Sequence, residues 1–528
     1  MNIFIGSAWP YANGPLHIGH IAALLAGDVR ARYHRLKGDT VCYVSGSDCY
    51  GTPVSIRAKK ENKDPSEICE RYHEDFIKAF DYLGFSYDYY GKTTSADHNK
   101  FVEQFHKELY ESEYIYESEK PQAYCNTCQK FLTDRFLEGI CPKCGAVSRG
   151  DQCEKCNTDF QSDEISDFVC SECKTKPEYV NSKHLYIAIS KLEKELKELV
   201  DHSTLWRKNA IEFTNKYINE GLRDRAITRD LDWGIKIPKE GYENKRIYIW
   251  AENVLGYLST CLSWCHNDYE KFIQFWNNSR HIYVHGKDNV PFHTIILPSL
   301  LIANKEGYKL PDEIISSYHL TFEGRKISTS QNWAVWVNDL IGKYNPDAIR
   351  YYLIAKGPEK RDADFTWEEF IYSNNSELLG AYGNFINRTL VFIKKKYDYQ
   401  VPEGKTDNIL TKRVKQLFIN IGEKIEESRF KEAINEIFEF VRESNKYFDS
   451  EKPWITINSD KANCDETIHN CIYIIINLAI LLKPFLPISS EKIIKEFNLE
   501  NGWKEQEVKS GVRIAEPEIL FERLEIGD

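Results

Sequence analysis

Eight of the fifteen cysteines lie between Cys125 and Cys173 as four Cys-x-x-Cys pairs, Cys125/Cys128, Cys141/Cys144, Cys153/Cys156 and Cys170/Cys173. Two such pairs bring four thiolates to one ion in the tetrahedral arrangement zinc takes, so the block has the ligands for two structural zinc ions with no coordination position left for water. The alternative chemistry is a disulfide scaffold, which belongs to secreted chains. The first twenty residues lack the charged start and apolar stretch of a secretory signal, which favours metal and a cytoplasmic location. The eight-residue spacer between Cys144 and Cys153 lets the inner pairs close one site and the outer pairs another. Sequential pairing is sterically possible too, and spacing leaves both open.

A second group with chemical potential is Pro10-Tyr11-Ala12-Asn13-Gly14-Pro15-Leu16-His17-Ile18-Gly19-His20. It leaves an apolar strand at residues 2–7 and opens an amphipathic stretch from His17 to Leu36, with Pro15 near the first turn. Helix N-termini offer free N–H groups and a positive dipole end, a ready site for phosphate. His17 and His20 are three apart and share a helical face, while Gly19 between them clears room for a flat base against the backbone.

These groups need a scaffold. A second strand at 40–45 follows the loop and helix, which is the unit of a parallel sheet whose ligands bind beyond the carboxyl ends of its strands. The glycines do not form G-x-G-x-x-G, so a dinucleotide is not indicated. Helical patterns at 64–83 and 95–111 precede the cysteine block, and strands resume at 246–250 and 281–285, which makes that block an insertion in one α/β domain. From Ser376 the pattern is helical almost throughout, with Leu378, Leu379, Tyr382, Phe385, Ile386, Thr389 and Ile393 at helical spacing. At 528 residues the chain holds several domains. A net charge of −11 argues against nonspecific coating of nucleic acid, and no apolar run reaches the roughly 18 residues of a membrane span. The best run, Cys471 to Leu482, reads as a buried helix.

His17-Ile18-Gly19-His20 matches a signature of class I aminoacyl-tRNA synthetases, and Ala8-x-Pro10-Tyr11-Ala12-Asn13-Gly14 resembles the methionyl-tRNA synthetase family. Lys326-Ile327-Ser328-Thr329-Ser330 resembles the mobile K-M-S-K-S loop of the class, with Thr329 in place of its second lysine. The resemblance covers essentially the whole chain. It implies a Rossmann-like parallel-sheet catalytic domain at 1–114 and 228–320, a connective zinc-knuckle insertion at 115–227, a signature-loop linker at 321–375 and an all-α helical-bundle anticodon-binding domain at 376–528. It also favours nested knuckles.

By the same resemblance, L-methionine would react with ATP, accompanied by Mg2+, and pass to the 3′ end of tRNA(Met). His17, His20 and Lys326 would be the catalytic donors, with Gly19, Asp288, Ser328 and Thr329 completing the ATP site and Arg325 assisting Lys326. Trp9, Tyr11, Asp48, Arg229, Trp250, Asn253, Tyr257 and His293 match methionine-pocket positions, Asp48 as the carboxylate for the substrate ammonium and Arg229 as the arginine that orients it. Trp9, Asn253 and Leu297 stand where many relatives carry other types, which suggests a reshaped rim. Thioether sulfur packs well on aromatic rings and accepts weak hydrogen bonds, so a tyrosine hydroxyl suits it. Asn384, Arg388 and Trp454 match anticodon-reading positions, with amide and guanidinium for base edges and a ring for stacking. A nucleotidylyltransferase sharing the histidine signature would be much smaller and lack both the knuckles and the helical domain. A non-catalytic RNA-binding relative should have lost His17, His20, Lys326 or Asp48, and all four are present. The chain stops soon after the helical domain with no appended oligonucleotide-binding barrel, so a monomer is expected.

Overall fold

The computed structural model describes residues 1–133, 136–149, 153, 156, 166–329 and 331–525, and Ser330 of the signature loop lies outside them. Five strands, β1 (Asn2–Ser7), β2 (Thr40–Ser47), β3 (Tyr89–Lys92), β4 (Ser279–Gly286) and β5 (Glu313–Ser317), form one sheet in the order β5-β4-β1-β2-β3. Every pairing is parallel; Ile5 stands opposite Tyr43 on one side and Ile282 on the other. Ile3, Phe4 and Ile5 are wholly buried, which is why β1 reads as an unbroken apolar run: helices cover both faces of a parallel sheet. The chain winds outward from β1 in both directions, so the strand order reverses between β1 and β4. A crevice at the carboxyl ends of those two strands follows from that topology.

The sequence expectations need four corrections at this level. Helix α1 (Ile18–Leu36) begins with His17 as its N-cap, so Pro15 belongs to the loop before the cap and not to the first turn. The strand expected at 246–250 is only Arg246–Ile247, paired antiparallel with Thr228–Arg229 outside the main sheet; the chain then turns into a helix at Ile249–Glu252. No helix follows Glu496 among the described residues. Within the expected helical run, Asn374–Gly383 winds as a wide i→i+5 turn, which changes the phase and leaves Leu379 half-buried while Leu378 and Tyr382 are buried.

The cysteine block sits at the end of a long antiparallel ribbon, Ile115–Cys125 against Glu178–Ile187. It enters between β3 and β4, as an insertion in the α/β domain. Cys49 and Cys69 form a disulfide, which ties the residue after Asp48 to the helix Pro65–Tyr82. Nothing in the cysteine spacing foretold that bond.

The helical domain includes Asn384–Lys396, Asn408–Glu426, Phe430–Glu451, Pro453–Ser459, Lys461–Leu482 and Pro487–Glu496. Lys461–Leu482 is the one helix among the described residues long and apolar enough to cross a membrane by length and composition, a length that counting uninterrupted apolar residues did not reveal. Most of it is buried inside the protein. Buried arginines join this domain to the rest of the chain. Arg30 on α1 donates to the carbonyls of Ile425 and Glu426 at 2.7 and 2.6 Å and to Glu313 at 3.0 Å, closing the open carbonyl end of Asn408–Glu426. Arg350 meets Asp28 at 2.6 Å with both side chains fully buried.

Candidate active site and metal centres

At the start of α1 the backbone decides the state of both histidines. The Gly19 N–H donates to His17 Nδ1 at 3.1 Å, and the His17 N–H donates to His20 Nδ1 at 3.1 Å. Each Nδ1 is therefore an acceptor, which leaves Nε2–H as the donor on each ring. Enclosure in the cleft, with the neighbouring His20 adding repulsion, holds His17 well below the ordinary imidazole range, and enclosure alone takes His20 to about 4. The rings are thus neutral at physiological pH, stacked with centroids 3.7 Å apart. Neutral imidazoles with a fixed N–H, beside the helix N-terminus at the strand-order reversal, stabilise charge growing on phosphoryl oxygens. Gly19 has a different neighbour from the one expected. A Cβ there would stand 3.0 Å from the His17 ring and 3.4 Å from Ile327 Cδ1, so its open side is filled by that ring and by the signature loop.

The loop is secured to this motif through the backbone: Ile18 N–H donates to the Val335 carbonyl at 3.0 Å, and Val337 N–H to the Leu16 carbonyl at 2.9 Å. Lys326 is exposed on a two-residue strand, close enough to Asp288 for its charge to act on that carboxylate. Ser328 and Trp333 exchange backbone hydrogen bonds around a tight hairpin whose exposed tip includes Thr329. Arg325 stacks on Trp333, 4.4 Å from its centroid, away from the role of free helper cation. Asp288 sits on a tight turn after β4 without capping a helix. Burial works to raise it, but a 2.8 Å bond with His319 prevails and holds it below the usual carboxylate range.

Several of the expected methionine-pocket residues are in direct contact. Tyr257 and His293 are 2.7 Å apart; because His293 Nδ1 lies 2.8 Å from the Asn289 carbonyl, Nδ1 carries the proton and Tyr257 donates to Nε2. The hydroxyl proton expected for sulfur is thus engaged by His293. His293 stacks on His285 at 4.2 Å, and Trp250 packs on Phe292 at 4.5 Å, partners the sequence did not single out. Trp9 meets Tyr257 edge-on at 6.5 Å. A Cβ on Gly46 would stand 2.4 Å from the Trp9 ring and one on Gly256 2.7 Å, so these two glycines make the slot the indole fills. Tyr11 pairs with Asp48 through a parallel backbone bridge. Arg229 lies over Tyr248, 3.6 Å from its centroid, and donates to the Ala226 and Thr228 carbonyls at 3.0 and 3.1 Å. Leu297 is fully buried. Trp9 Nε1, Asp48 Oδ1 and Asn253 Nδ2 are buried polar atoms without a protein partner, and all three belong to the expected pocket. Buried polar groups are normally satisfied, so these three atoms are open to a polar ligand.

The eight knuckle cysteines form two groups of four, Cys125/Cys128/Cys170/Cys173 and Cys141/Cys144/Cys153/Cys156, with all ligand atoms within 4.8 Å of one another in each. This is the nested arrangement. Zinc–sulfur bonds of about 2.3 Å in a tetrahedron put sulfurs roughly 3.8 Å apart. Cys125 to Cys173 is 3.4 Å, Cys128 to Cys170 3.9 Å, Cys141 to Cys156 3.8 Å and Cys144 to Cys153 3.6 Å, so both sets fit a tetrahedral thiolate metal.

In the helical domain, Asn384 and Arg388 share a face with the helix Phe430–Glu451. Arg388 pairs with Asp449 at 2.6 Å and lies over Phe448, 4.1 Å from its centroid; the Asn384 amide reaches Asn445 at 3.4 Å. Trp454 follows Lys452, in left-handed backbone, and Pro453 at the first position of a new helix. That corner leaves its ring 46% exposed and 6.1 Å from Phe448. Arg388 and Trp454 therefore meet around Phe448 on an accessible surface, with Asn384 one turn before Arg388 on its helix.

Comparison with known proteins agrees with this architecture. A family profile described as tRNA synthetases class I (M) matches residues 3–390, and one described as anticodon-binding domain of tRNA ligase matches residues 407–525. "Methionine--tRNA ligase 1" of Alkaliphilus oremlandii is 52% identical over 529 residues, spanning 99% of this chain and 98% of the relative. "Methionine--tRNA ligase" of Bacillus cereus (strain G9842) is 48% identical, spanning 100% of this chain and 97% of the relative. The fold matches that of Mycobacterium tuberculosis methionyl-tRNA synthetase, solved with methionyl-adenylate, at a TM-score of 0.83 and 21% identity over 99% of this chain and 100% of the other. The chain belongs to the class I aminoacyl-tRNA synthetases, in the methionine–tRNA ligase family.

Proposed function

We propose that the chain activates L-methionine with ATP to methionyl-adenylate, releasing pyrophosphate, and transfers the methionyl group to the 3′ end of tRNA(Met), releasing AMP. The observation that carries this reading is the pair of neutral, cap-fixed histidines at the strand-order reversal of a chain aligned end to end with methionine–tRNA ligases. His17 and His20 would donate Nε2–H to the phosphates as charge builds in the in-line displacement, and the start of α1 would add its dipole. Lys326 would close over the pyrophosphate, Asp288 would hold the ribose, and Gly19, Ser328 and Thr329 would line the ATP site. With Thr329 in place of a lysine and Arg325 stacked on Trp333, Lys326 is the main cation of this loop.

Trp9, Tyr11, Trp250, Asn253, Tyr257 and His293 would enclose the methionine side chain, with sulfur against aromatic rings worth about 0.3–1.5 kcal/mol per contact. Asp48 would take the ammonium, with Arg229 orienting it. Zinc is the metal that suits two closed thiolate sets, and both ions would hold the knuckles together without entering the reaction. Magnesium would arrive with ATP as part of the substrate. Asn384, Arg388 and Trp454 would read the C-A-U anticodon. The working form would be a cytoplasmic monomer with no membrane partner. Charging tests the tRNA half: a transcript with a C-A-U anticodon should accept methionine, and the same transcript with an altered anticodon should not. Equal charging of both would overturn the anticodon assignment.

A further inference from the structure

Glu252 lies on the helix that presents Trp250 and Asn253, is wholly buried, and has no role in the reading above. Its Oε2 is 2.9 Å from His98 Nε2, and His98 Nδ1 is 2.9 Å from Ser259 Oγ, which in turn reaches the Gly256 carbonyl at 3.1 Å. Its Oε1 is buried without a partner, as is Oδ1 of Asp48. The two carboxyl groups are close enough for the charge of Glu252 to act on Asp48. His98 is the only cation-capable group paired with Glu252 among the described residues.

Two buried carboxylates beside one another cannot both ionise without compensating charge. The His98 contacts admit either sense of the hydrogen-bond chain, and the Ser259–Gly256 contact favours one of them. A carbonyl only accepts, so the chain can run from Glu252 O–H to His98 Nε2, from His98 Nδ1–H to Ser259, and from Ser259 O–H to the Gly256 carbonyl. Run in the opposite sense, it would leave Glu252 as a buried anion facing a neutral imidazole. Burial drives His98 down to about 3, so an imidazolium does not rescue that arrangement. Burial, and any charge on Glu252, hold Asp48 well above the usual carboxylate range, so the pair does not carry two charges; the Tyr50 backbone N–H, donating to Asp48, works in favour of its charged form. Both carboxyls are raised, so what distinguishes them is their hydrogen bonding: Glu252 faces the His98 Nε2 acceptor, whereas Asp48 takes a backbone N–H.

We propose that Glu252 is a positioning residue held as a neutral carboxylic acid by His98 and Ser259, so that Asp48 is the single negative charge offered to the ammonium of the substrate. The proposal rests on the reading of Asp48 as the ammonium partner. A monovalent ammonium then meets one carboxylate, and the acid proton of Glu252 pins the pocket helix to the helix Ala96–Leu109 that bears His98.

The test combines infrared difference spectroscopy with kinetics on the full chain. At neutral pH, wild type minus Glu252→Gln should show the carbonyl stretch of a protonated carboxylic acid; absence of that band overturns the proposal. Glu252→Ala should raise KM for methionine by up to about 100-fold through misplacement of the pocket, with KM for ATP nearly unchanged. Glu252→Gln, whose amide N–H can replace the acid proton, should restore it to within about tenfold of wild type. Asp48→Asn, which deletes a charge, should raise the same KM about 30-fold or more. A Glu252→Gln effect as large as that of Asp48→Asn would make Glu252 an anion and overturn the proposal. If Asp48→Asn leaves KM unchanged while the acid band is present, the Asp48 reading fails and the proton on Glu252 stands.

Discussion

The His20 ring does two things at once: its Nδ1 caps the His17 N–H, and its Nε2–H remains a donor. His20→Ala should therefore lower methionine-dependent ATP–pyrophosphate exchange about 100- to 1000-fold, with charging falling in parallel because the adenylate is not made. Exchange measured beside charging checks this, and a loss confined to charging would contradict it. The spacing of His17 and His20 was legible in the sequence because three-residue spacing always shares a helical face. Their tautomer was not, since it depends on which N–H groups the helix start leaves free. Glu252 was invisible for a related reason. A glutamate in a short helix reads as a surface charge until distant His98 and Ser259 are seen to bury it.

At the scale of elements, the knuckles and the anticodon face each stand apart from the chemistry. Metal analysis of protein prepared without chelator should give two equivalents of zinc, one for each cysteine group. Cys141→Ser should free the inner ion and leave the outer set loaded; retention of the inner ion, or loss of the outer one alone, would contradict nesting. Trp454 stands half-exposed at a proline-fixed corner, and stacking on a base is worth about 1–3 kcal/mol. Trp454→Ala should lower charging about 5- to 150-fold and spare exchange. An equal loss in both assays would make the ring a fold-holding group. Four-cysteine periodicity and long amphipathic runs survive any context, so these elements were legible. The stretch at 246–250 misled because Arg246-Ile247-Tyr248-Ile249-Trp250 has strand-like composition, yet Ile249 and Trp250 belong to a short helix, with Ile249 against Gly51 and Trp250 against Phe292. Local preference yielded there to packing around the site.

For the whole molecule, buried histidines set the acid limit. Burial takes His98 to about 3 and His106 and His293 to about 4, and lowers His34 and His281 to about 4 as well. In the unfolded chain these groups bind protons near 6.5, so the unfolded state holds more protons between that value and about 4. Stability should be full above about pH 6.5 and fall steadily as pH drops towards 4. Asp48, Glu252 and Asp347, raised by burial, oppose this trend, and His17, His20, His73, His184 and His285, also lowered by burial, reinforce it. Thermal unfolding followed by circular dichroism from about pH 7.5 to 4.5 measures it, and a rising midpoint on acidification would contradict it. The order β5-β4-β1-β2-β3 was only partly legible, because strand and helix alternation announces a parallel sheet while the partner of each strand depends on contacts hundreds of residues apart. The central claim concerns the amino acid. ATP–pyrophosphate exchange measured with each of the twenty amino acids should respond to methionine far above leucine or isoleucine, with homocysteine a weak substrate because one methyl is worth about 1–3 kcal/mol. Equal or faster exchange with any other of the twenty would contradict the account.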